Sequence, residues 1–218
     1  MRIDLKDFSK SPASHVVSLG PRCATAYNVR RHYDFGDAFP FDWWITNCKG
    51  LEYVLSNPDV DYLYSLDKLI MIESGDSIKH KDLEILFHHE FFRDWSLPNN
   101  PIKSGWEDNV DVPRKRTQYL MEKFLSLNKS GNRVFFIREV DNLGESLEIE
   151  NRLIDLFPDA EWCLAEIPRV QSRVAGWKGD PVVWDKLLSA FNVNLSNSSL
   201  KPFSAISEPE SESKKQEG

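Results

Sequence analysis

Apolar positions in the second half of the chain change period twice. Residues 133–138 (Arg-Val-Phe-Phe-Ile-Arg) read as a buried strand, four consecutive apolar residues between two arginines. Residues 146–157 carry Leu147, Ile149, Leu153, Ile154 and Leu156 at helical spacing, Pro158-Asp159 ends them, and 162–167 returns to a strand. Strand, helix and strand at this spacing predict a right-handed crossover between parallel neighbours. The N-terminal half begins in the same way. Residues 16–19 read as a buried strand that passes through Gly20-Pro21 into a helix over 24–32. A short helix over 50–55 stops at Asn57-Pro58, 84–87 reads as another strand, and 60–80 is ambiguous. The stretch 94–112, with Pro98, Pro101 and Gly105, reads as a long loop, and Pro113 opens a helix whose apolar positions run over 117–127. A last strand is expected near 174–177 and a closing helix over 182–191.

These elements predict an α/β protein. A single domain over 14–192 would hold a mainly parallel sheet flanked by helices, in a Rossmann-like or flavodoxin-like three-layer arrangement. Residues 1–13 read as a polar lead-in. Residues 193–218, dominated by Ser, Glu and Lys, are too polar to bury anything and read as a disordered tail.

Charge and cysteine usage narrow the function. A net charge of −7 argues against nucleic acid as a partner, which asks for a basic stripe. No apolar run approaches the roughly eighteen residues that a membrane-spanning helix needs, and the charged N-terminus lacks the apolar stretch of a signal peptide. Cys23, Cys48 and Cys163 form no Cys-x-x-Cys pair, so they read as free thiols of a cytoplasmic protein, not as disulfides or a metal site. No Walker lysine motif and no Gly-x-Gly-x-x-Gly is present, so no cofactor is implied.

The candidate chemistry gathers at the strand-to-helix junction. Cys23 falls at the start of the helix after the first strand, where helix N–H groups and the adjacent Arg22 favour a thiolate; the competing reading is a small buried cysteine. A nucleophilic thiol needs a base. His88 and His89 leave the 84–87 strand on opposite faces, so one of them would face Cys23. Asp42 either caps its own turn through backbone N–H groups or orients the histidine, with Asp141 as the rival for that role. Arg138 ends a buried strand, where it pairs internally with a carboxylate or holds a substrate's carboxylate or phosphate. Arg22, Arg30, Trp43 and His88 complete the expected substrate-binding set.

The blocks Ser18-Leu19-Gly20-Pro21-Arg22-Cys23, Pro40-Phe41-Asp42-Trp43, His89-Glu90-Phe91 and Phe136-Ile137-Arg138 resemble, in order, those of the bacterial DUF1796 family, which carries a papain-like cysteine peptidase label. The resemblance spans roughly residues 15–170. It implies a thiol enzyme with Cys23 as nucleophile and His89 as its base. The papain-type Gly-Ser-Cys-Trp surround is absent, and the second half of the chain reads as a parallel sheet.

Two functions compete. In the first, Cys23 attacks an amide, ester or thioester of a small-molecule or peptide substrate, His89 moves the proton, and Asp42 or Asp141 orients the imidazole. In the second, the chain is a carbohydrate or nucleotide-sugar enzyme or binding module, Cys23 is structural, and arginines and loop tryptophans hold the ligand. The first requires an accessible Cys23 beside a histidine. The second requires Arg22, Arg30 or Arg138 to converge in one pocket.

Overall fold

The computed structural model describes residues 1–169 and 177–194. The chain begins with α1 (Leu5–Phe8), β1 (His15–Ser18), α2 (Cys23–Tyr33), β2 (Trp44–Ile45), α3 (Cys48–Ser56) and α4 (Val60–Leu63). Three short strands follow, β3 (Leu69–Met71), β4 (Ile78–His80) and β5 (Leu86–Phe87), and then α5 (Asp111–Leu125). It continues through β6 (Arg133–Val140), α6 (Leu147–Leu156), β7 (Glu161–Pro168) and α7 (Pro181–Leu188).

The expected strand–helix–strand unit is present: β6 and β7 pair in parallel with α6 between them in the chain, and β1 joins β6 in parallel to give the order β1-β6-β7. Val17 lies opposite Phe136, and Phe136 opposite Leu164. The single, mainly parallel three-layer sheet does not form. A second, antiparallel sheet of order β2-β5-β4-β3 stands beside the parallel one. Chain length explains the split. Only residues 72–77 separate β3 from β4, and 81–85 separate β4 from β5, whereas a parallel return needs roughly a dozen residues. Connections this short leave hairpin pairing as the available arrangement.

The parallel sheet is buried on both faces, so its strands feed two cores by alternation. Val17, Leu19, Val134 and Phe136 face the larger core, shared with Trp44, Ile78 and Phe87 of the antiparallel sheet. Val16, Phe135, Ile137, Cys163 and Ala165 face the smaller one, closed by Trp184 and Leu188 of α7. Residues 1–13 are docked against this sheet: the Ile3 N–H donates to the Trp162 carbonyl at 2.7 Å, and Phe8 stacks on Phe135 at 6.1 Å. The last described residue, Asn194, donates its N–H to the Ala13 carbonyl. Of the strand expected near 174–177, residues up to 176 lie outside the described ones, and Trp177 stands in a turn. The remainder of the expected tail also lies outside them. No described helix is long and apolar enough to cross a membrane.

Phe124 of α5 packs edge-on to Phe41, Phe157 and Phe136, at 5.2, 5.1 and 6.1 Å between ring centres. Phe124→Ala is expected to cost about 3–5 kcal/mol of stability through the cavity it leaves. Urea unfolding measures this, and a loss below about 1 kcal/mol would place the main core elsewhere.

Candidate functional site

The carboxyl ends of β1 and β6 open onto a cleft of about 520 Å³, a size that suits a small molecule. The loop after β1 supplies Pro21 and Arg22, and the end of β6 with its following loop supplies Arg138, Glu139, Asp141 and Glu145. Thr46, Asn47 and Cys48, where β2 passes into α3, also line it, as do Lys79 of β4, Glu84 of the β4–β5 connection and Leu86 of β5. Ligand clefts of α/β sheets sit at this edge.

Arg138 occupies the centre of the site because of strand parity. Val134 and Phe136 face the larger core, and the next residue on that side is Arg138. Arg138 as a whole is only 2% exposed. Nη1 donates to the Leu19 carbonyl; Nη2 donates to the Thr46 carbonyl at 3.3 Å and toward the Cys48 sulfur at 3.5 Å. The expected internal carboxylate partner is missing: no described Asp or Glu lies within ion-pair distance of Arg138, and its Nε has no hydrogen-bond partner. Thr46, 3% exposed, likewise leaves its hydroxyl without one. Gly20 permits this close assembly. It has φ +77°, and a Cβ there would lie 3.0 Å from the Thr46 hydroxyl and 3.6 Å from Arg138 Nη1.

The other cations of the cleft are already matched. Arg22 pairs with buried Glu139, and Arg169 bridges Glu139 at 3.5 Å and Asp141 at 2.9 Å. Lys79 pairs with Glu84 at 2.9 Å. Glu145 accepts from the Asn142 amide and the Asp141 N–H. The Asn142 bond leads in holding the Glu145 carboxyl below its ordinary range, and the Arg138 charge adds to it. A permanently charged guanidinium in the interior therefore faces a cleft with no anion in direct contact.

Cys23 is the first residue of α2, as the sequence implied, but only 8% of it is exposed. Burial pushes its thiol up, outweighing the Cys23 and Ala24 N–H groups and the Arg22 charge. Among the described residues no histidine is hydrogen-bonded to it. His88 instead bonds Ser77 through Nδ1 at 2.9 Å. His89 lies edge-on to Trp43 at 5.4 Å and to His88 at 4.6 Å. Arg30 stands over the Trp43 ring at 5.3 Å and pairs with Asp42. Asp42 caps its turn by accepting the Phe39 N–H at 2.7 Å, and burial raises its carboxyl to about 6. Arg30, Asp42, Trp43, His88 and His89 thus form a group outside the cleft. Arg22, Arg138 and Asp141 lie inside it.

Sequence reasoning passed over Cys48 and Thr46. One signal was available: Asn47 precedes the helix as its N-cap, with Oδ1 accepting the Gly50 N–H, and that places Cys48 at the first helical position. Comparison with known proteins finds no matching family model, curated protein or solved structure.

Burial first, then the charges of His88, Arg93 and Arg116, pushes His89 down from 6.5 to about 4. The unfolded chain therefore takes up this proton before the folded one does. His89 keeps an exposed face, so the stability linked to it is small; it is present above about pH 6.5 and is lost as pH falls toward 4. Imidazole NMR is expected to show His89 titrating near pH 4, and a midpoint near 6.5 would dissolve the Trp43–His88–His89 packing.

Proposed function

We propose that the chain binds a small ligand carrying a phosphate or carboxylate group in this cleft, as a carbohydrate or nucleotide-sugar enzyme or binding module does, with Cys23 structural. The carrying observation is the buried Arg138 guanidinium, which faces the cleft without a carboxylate partner. Arg22 and Arg169 at the same opening add charge that rearrangement of their ion pairs makes available to a ligand. Arg138 lies on a rigid strand of the parallel sheet, which favours a fixed position for the anionic group and leaves the rest of the ligand to the open side. Sugar phosphates and nucleotide sugars combine such an anion with neutral hydroxyl surface, and the mixed lining of Thr46, Asn47, Lys79 and Glu84 suits them.

The test is thermal unfolding and calorimetry with inorganic phosphate, a hexose phosphate, a nucleotide sugar and the neutral hexose. The phosphorylated compounds are expected to raise Tm and the neutral sugar to leave it unchanged. Arg22→Gln and Arg169→Gln should each weaken binding by about ten- to a hundredfold, the effect of losing a charged hydrogen bond. No stabilisation by any of the anions, or stabilisation retained in the double variant, would overturn this reading.

A second reading keeps Cys23 as the nucleophile of an amide, ester or thioester hydrolase or acyltransferase, with His89 and Asp42 or Asp141 as its partners. Its support is the start of an eleven-residue helix at Cys23 and the family resemblance. Fast alkylation of native Cys23 at neutral pH, lost in Cys23→Ser, is its expected result, and labelling only after unfolding would sink it.

A further inference from the structure

Three side-chain atoms of cleft-lining residues, Arg22 Nε, Thr46 Oγ1 and Arg138 Nε, are buried and without a hydrogen-bond partner; Thr46 stands two residues before Cys48, and Arg138 donates toward the Cys48 sulfur. Buried polar groups are satisfied in the great majority of cases, so unpartnered donors on residues that line one cleft point to a missing partner. Cys48 lines the same cleft. It is the first residue of the nine-residue α3, and its sulfur faces Arg138 Nη2 at 3.5 Å. Cys23 and Cys163 are buried, whereas Cys48 is partly exposed.

We propose that Cys48 is the nucleophile of this cleft and acts on small acyl compounds that carry their own carboxylate or phosphate, which Arg138 and Thr46 hold. The proposal rests on the reading of the cleft as an anion site and adds to it a covalent step and a substrate class. The deprotonated sulfur attacks the acyl carbon, an S–C bond forms as the bond to the alcohol or amine breaks, and the leaving group departs with the proton the thiol gave up. Water then cleaves the thioester, returning the thiol and releasing the acid. The anionic group of the substrate orients its acyl carbon, so Arg138 contributes position and charge, and Cys48 contributes the bond.

The native full-length chain is treated in parallel with iodoacetate and iodoacetamide, and each cysteine is followed by peptide mass mapping, with glutathione as the reference thiol. In this displacement the S–C bond forms as C–I breaks, iodide leaves with the electron pair and the thiol proton passes to water. Cys48 is expected to be labelled about tenfold or more faster than Cys23 and Cys163. Its iodoacetate-to-iodoacetamide rate ratio should exceed that of glutathione by about tenfold, the effect of one charge-assisted contact. Inorganic phosphate should slow the labelling, and Cys48→Ser should abolish the fast phase. If Cys48 reacts no faster than glutathione while phosphate still raises the Tm of Cys48→Ala, the nucleophile assignment is overturned and the anion site stands. If Cys48 reacts fast without preference for iodoacetate and phosphate neither protects nor stabilises, the anion site itself falls and the substrate class with it.

Discussion

A guanidinium buried at the end of the central strand holds the functional end of this molecule together. Arg138 reaches from β6 to the carbonyl of Leu19 beyond β1 and to the carbonyl of Thr46 between β2 and α3. One side chain therefore fastens the parallel sheet to the antiparallel one at the edge where the cleft opens. Carbonyl oxygens solvate the charge without cancelling it, and a buried charge with incomplete compensation is costly. The larger core, continuous from Val134 and Phe136 to Trp44 and Phe87, supplies the apolar burial that offsets this cost.

The consequence for the site is pre-organisation. Backbone contacts reinforce the tie: the Thr46 N–H donates to the Pro21 carbonyl at 2.8 Å, and the Glu139 N–H to the Gly20 carbonyl at 3.1 Å. Three segments distant in sequence are held in register before any ligand arrives. A fixed positive centre on a rigid sheet edge loses little on binding, and this is the arrangement that gives specificity from few contacts.

Much of the parallel unit was legible because its signals are long. The strands read over 133–138 and 162–167 and the helix between them appear at the expected places. Of the antiparallel sheet only β5 was legible, within the strand expected over 84–87, since the strands are two or three residues each and carry no readable period. The site was legible by halves. Arg22 and Asp141 belong to loops after parallel strands, Arg138 to the C-terminal half of one, β6, and they meet as that topology requires. His88 and His89 follow β5, which pairs with β2 and β4 in the other sheet, and a sheet assignment missed at β5 moves every residue beyond it. Cys48 is hard to read from sequence because no long apolar strand precedes it, and the Asn47 cap alone marks the helix start.

The chain of ion pairs Arg22–Glu139–Arg169–Asp141 at the cleft opening sets the terms on which anything enters. Glu139 and Asp141 are anions tethered beside the cations that a free anion seeks, present at the millimolar effective concentrations typical of short linkages. Contact of an anion with Arg22 or Arg169, unlike contact with Arg138, is then an exchange and not a simple addition: an incoming group displaces a resident carboxylate from its arginine. Such an exchange discriminates by valence. A lone carboxylate merely equals what it replaces, whereas a phosphate offers more charge and more acceptor oxygens to the same cations.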